Sequence, residues 1–69
     1  MDTDLIERFI NDVRNLRNST IQVNKGIEEF MQDNRLYLTD KALAELENSI
    51  HENNIKIKTY EEVIKSNNK

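Results

Sequence analysis

Two heptad stripes, one in each half of the chain, leave it few ways to fold. The first runs Ile6, Phe9, Val13, Leu16, Thr20, Val23, Ile27, Phe30, and the second Leu43, Leu46, Ile50, Asn53, Ile57, Tyr60, Ile64, Asn67. Each alternates steps of three and four residues, the spacing that keeps one side of an α-helix turned toward one partner. Folding the chain back between the stripes pairs Phe30 with Leu43, Val23 with Ile50, Leu16 with Ile57 and Phe9 with Ile64. The two polar residues in mid-stripe, Thr20 and Asn53, then fall in one layer. They are read as a polar core layer, which fixes register and orientation at some cost in stability. The predicted fold is all-α, an antiparallel two-helix hairpin of coiled-coil type.

Proline is absent and glycine occurs once, at Gly26, so nothing forces a helix to end inside either stripe. With 69 residues the chain suits one helical-hairpin domain. The first helix is placed at about residues 3–34, capped by Asp2 or Thr3. Asn18-Ser19-Thr20 joins three poor helix formers and is its weak point, but the heptad phase continues through them. The turn occupies about residues 35–39. Thr39 is the expected cap of a second helix over about residues 40–65, with Leu38 and Leu43 placed as a hydrophobic staple. Residues 66–69 form a polar tail.

In a lone hairpin each seam side chain is covered on one side only. Pairing of two hairpins into a four-helix bundle is the simplest remedy, so a homodimer is expected. The flank preferred for that contact carries Leu5, Ser19, Gly26, Ala42, Ser49 and Val63, small near the middle and apolar at its ends. The opposite flank, with Ile10, Arg17, Asn24 and Met31 on the first helix, is longer and more polar and comes second.

The residues give little to catalysis. Cysteine is absent and His51 is the single histidine, so no histidine–cysteine set can hold a metal. No glycine-rich phosphate loop occurs, and the carboxylates are spread among basic neighbours over solvent faces rather than paired in an apolar pocket. No enzyme activity, cofactor or metal is expected. Leu43-Ala44-Glu45-Leu46-Glu47 shares Glu45 and Leu46 with the Ser-Gln-Glu-Leu-Asp motif of small helical-hairpin phosphatases of spore-forming bacteria. It lacks the serine, the glutamine and the aspartate of that motif, and no activity is carried over.

The start of the chain has no basic region followed by an apolar run, and no apolar stretch exceeds three residues. Neither a signal peptide nor a membrane span is expected. A cytoplasmic location, in a bacterium or in a virus-infected host cell, follows as the default. Asn18-Ser19-Thr20 also spells a glycosylation sequon, which has no use without secretion.

Charge is uneven along the hairpin. Residues 18–55, the turn half, hold three basic and seven acidic side chains, a balance of −4. The remaining residues hold seven basic and six acidic ones, a balance of +1, which restores the total of −3. An acidic turn half does not suit phosphate, so nucleic acid is not an expected partner. The turn does offer Leu36 and Tyr37 beside Asp33, a combination suited to a basic protein surface. The expected function is a small protein-binding module, a regulator or inhibitor that occupies a partner's surface. The alternative is a structural oligomerisation or scaffolding module.

Overall fold

The computed structural model describes residues 3–67. Helix α1, Thr3–Asn34, and helix α2, Asp40–Asn67, are joined by a single 3-10 turn, Arg35–Tyr37. They pack against each other as an antiparallel hairpin measuring 55 × 16 × 13 Å, two helices wide and one deep. Asp2, the other expected cap, lies outside the described residues, as do residues 68 and 69 of the polar tail.

Local chemistry explains where the helices run and stop. The Thr20 hydroxyl donates to the Leu16 carbonyl at 2.8 Å, a bond that lets a β-branched polar residue stay inside a helix. The chain accordingly stays helical through Asn18, Ser19 and Thr20. At the end of α1 the Asn34 amide donates to the Phe30 carbonyl at 2.9 Å. Asn67 does the same for Val63, also at 2.9 Å, near the end of α2. Each adds a side-chain bond to the carbonyl four residues back, in the last turn of its helix. The sequence reading stopped α2 at about residue 65, whereas Ser66 and Asn67 are helical.

Thr39 caps α2 as its position predicts. Its hydroxyl accepts from the Ala42 amide at 3.1 Å, and its carbonyl accepts from the Leu43 amide at 2.9 Å. Leu38 and Leu43, the expected staple, are both half-buried. Thr39→Ala should lower stability by about 1 kcal/mol, read as a shift in the thermal unfolding midpoint. An unchanged midpoint would show that the turn alone fixes the entry of α2.

The seam uses the expected side of α2 but a different side of α1. On α2 the stripe from Leu43 to Ile64 is half-buried or buried throughout, with only Asn67 exposed. On α1 the residues turned inward are Ile10, Val13, Asn24 and Met31, with Arg17, Thr20, Ile27 and Asn34 half-buried between them. Phe9, Leu16, Val23 and Phe30, expected in the seam, stand about half in water. Helix α1 is thus rotated toward the flank that the sequence reading ranked second for a dimer contact. The expected layers Val23 with Ile50 and Leu16 with Ile57 give way to a seam built on Asn24.

That rotation has a physical reason. The Asn24 amide donates to the Asn54 carbonyl oxygen at 2.9 Å and to the Ile50 backbone carbonyl at 3.5 Å. Its own side-chain oxygen accepts from the Asn53 amide at 2.9 Å. A buried amide left without partners costs about 1–3 kcal/mol. Thr20 is half-buried as a layer residue should be, but its hydroxyl is already spent on Leu16, and it does not pair with Asn53. The polar layer is therefore Asn24 with Asn53 and Asn54. Toward the open end, Ile10, Val13 and Ile64 form the apolar cluster, with Tyr60 and Val63 packed on it.

Candidate protein-binding surfaces

The turn places its side chains outward. Leu36 is 95% exposed and Tyr37 86% exposed, while Leu38 is half-buried. A single 3-10 turn with Leu38 in extended backbone (φ −94°, ψ 135°) directs Leu36 and Tyr37 away from the end of the seam. Asp33 and Asp40 are exposed on either side of them, as are Arg35 and Lys41. The structure thus brings Asp33, Leu36 and Tyr37 together at one tip. An aliphatic and an aromatic side chain at the end of an acidic half of the hairpin form a surface that a basic, partly apolar partner can dehydrate.

A second surface runs the length of α1. Phe9, Leu16, Val23 and Phe30 stand seven residues apart and are 51, 52, 54 and 50% exposed. At 100° per residue they lie on one line of the helix, beside the seam and away from the edge bearing Ile21, Lys25 and Glu28. That other edge forms a shallow groove with Asn54 and Ile57 of α2. Of the small-residue flank, Leu5, Ser19 and Gly26 are exposed along the line of the apolar ridge, and Ala42, Ser49 and Val63 are half-buried along α2. A Cβ built on Gly26 meets nothing within 4 Å, so the hairpin itself does not require glycine there.

Sequence reasoning assigned this ridge to the hairpin's own seam and so missed it as a surface. The available signal was the presence of two overlapping heptads in α1, sharing Val13, Thr20 and Ile27, of which one hairpin can bury only one.

His51 is exposed. Among the described residues no cluster of histidine, cysteine and carboxylate side chains could hold a metal ion, and no helix is long and apolar enough to cross a membrane. The chain matches no known protein family, no curated protein and no solved structure.

Proposed function

We propose that this chain is a small non-enzymatic protein-binding module that works as a homodimer. It acts as a regulator or inhibitor by occupying a surface of another protein with its acidic tip. The observation that carries this reading is the outward placement of Leu36 and Tyr37. A turn whose only task was to join two helices gains nothing from holding a leucine and a tyrosine in water. Removing such side chains from water on binding contributes about 1.5–3 kcal/mol each when burial is complete. The acidic excess of the turn half adds steering toward a basic surface.

The test compares wild type with the double variant Tyr37→Ala, Asp33→Lys as bait in the native cell. The double variant should lose the partner that wild type retains, with helicity unchanged, because neither residue belongs to the seam. Rising salt should weaken wild-type capture. Retention of the same partner by the double variant would move the working surface off the tip.

The scaffolding reading rests on the apolar ridge of α1, which suits assembly of like chains. Capture that returns only copies of the chain itself would favour it.

A further inference from the structure

We infer that the ridge of α1 is the contact between two copies of this chain, packed α1 against α1 in antiparallel sense, with the two tips at opposite ends. This rests on the dimeric part of the proposed function and specifies its face and direction.

Three observations lead to a second copy in this orientation. The first is area. The chain exposes 5666 Å², whereas a compact monomer of its 8.2 kDa would expose about 4,500 Å². The excess of about 1,100 Å² exceeds the roughly 800 Å² that each partner contributes to a standard interface. Five of the exposed large apolar side chains, Leu5, Phe9, Leu16, Val23 and Phe30, stand along this ridge.

The second is shape. Phe9, Leu16, Val23 and Phe30 interleave with Leu5, Asp12, Ser19 and Gly26 at steps of three and four, which makes a second complete heptad seam on α1. Run antiparallel against itself, this seam sets Phe9 over Gly26 of the second copy, Leu16 over Ser19, Val23 over Asp12 and Leu5 against Phe30. In the Phe9 and Leu16 layers a large residue then fills the space left by a small one, each aspartate is kept apart from its own copy, and the two-fold axis repeats every contact. Run parallel, it would set Gly26 on Gly26, Ser19 on Ser19 and Asp12 on Asp12, two gaps and a repulsion.

The third is charge. The turn half carries −4 and the open half +1. The antiparallel arrangement separates the two acidic halves and lays each beside the other copy's mildly basic one. It also leaves both Leu36–Tyr37 tips free, so the dimer is bivalent and can hold two partner molecules at its two ends.

The chain has no cysteine, so single thiols report the arrangement directly. In the antiparallel dimer two copies of residue 19 lie near the two-fold axis, offset by only about 4–5 Å along the helices, whereas two copies of residue 12 are offset by about 16 Å. With a short bismaleimide at micromolar protein, Ser19→Cys should be trapped as a covalent dimer and Asp12→Cys should not. Both exposed positions lie outside the hairpin seam, and sedimentation checks that each variant still associates.

Gly26→Arg should weaken self-association by about tenfold or more, because a long charged side chain enters a close helix contact. Cross-linking at both positions would mean parallel packing, and at neither, in a protein that sediments as a dimer, packing of α1 on α2; either overturns the inference and leaves the dimer standing. A wild-type chain that sediments as a monomer throughout the micromolar range overturns the dimer itself.

Discussion

Asn24→Ala should destabilise the hairpin by roughly 1–3 kcal/mol for each polar group it leaves unpaired in the seam. Asn24 is buried, and its side chain is the partner of both Asn53 and Asn54. Removing it strands the Asn53 amide at a half-buried position and opens a gap in the middle of a narrow core. In a chain of this length about 1 kcal/mol moves the unfolding midpoint by roughly 4–8 °C, so a fall of about 10 °C or more is expected.

The stripe pattern alone gives the opposite expectation for the other partner. Asn53→Leu removes a lone buried amide on that reading and should raise stability. With Asn24 in place it instead orphans the Asn24 oxygen, and the sign reverses. The double variant Asn24→Leu, Asn53→Leu replaces both partners by apolar groups and should recover most of either loss, since Asn54 is exposed and can turn to water. Single and double variants that lose stability additively would show that the two asparagines are not coupled.

These opposite signs mark where sequence reasoning reached its limit. The α2 stripe was legible because one heptad dominates it, and burial from Leu43 to Ile64 follows that heptad. The Thr39 cap was legible because capping is local, decided by one hydroxyl and an amide three residues away. Helix α1 carries two heptads that share Val13, Thr20 and Ile27. Hydropathy ranks the one with Phe9, Leu16, Val23 and Phe30 above the one with Ile10, Arg17, Asn24 and Met31. The choice between them is made by hydrogen-bond satisfaction across the seam, a pairwise property that no apolar periodicity encodes. The tip was legible in its residues, but the direction of its side chains was not, for a related reason. Leu36 and Tyr37 could fold back on the seam or turn outward, and the backbone of one 3-10 turn decides between these.

Val13→Asp and Leu16→Asp should therefore differ sharply, although the two residues occupy neighbouring places in one stripe. Val13 is buried between Ile10 and Ile64. A carboxylate there must either lose its hydration or open the seam, at a cost on the order of 4 kcal/mol. A domain of this length has only about 3–10 kcal/mol of stability in total. Val13→Asp is thus expected to lose most of its helical signal at every protein concentration. Leu16 already stands half in water, on the opposite edge of α1 from the groove. An aspartate there stays hydrated and costs the hairpin about 1 kcal/mol, chiefly in helix propensity and partial burial. Urea unfolding at concentrations low enough to exclude self-association separates the two. If both variants lose the same stability there, Leu16 belongs to the hairpin's own seam and α1 is not rotated. If Leu16→Asp keeps the hairpin but removes the concentration dependence that wild type shows at higher concentrations, the ridge serves an intermolecular contact and Val13 the fold.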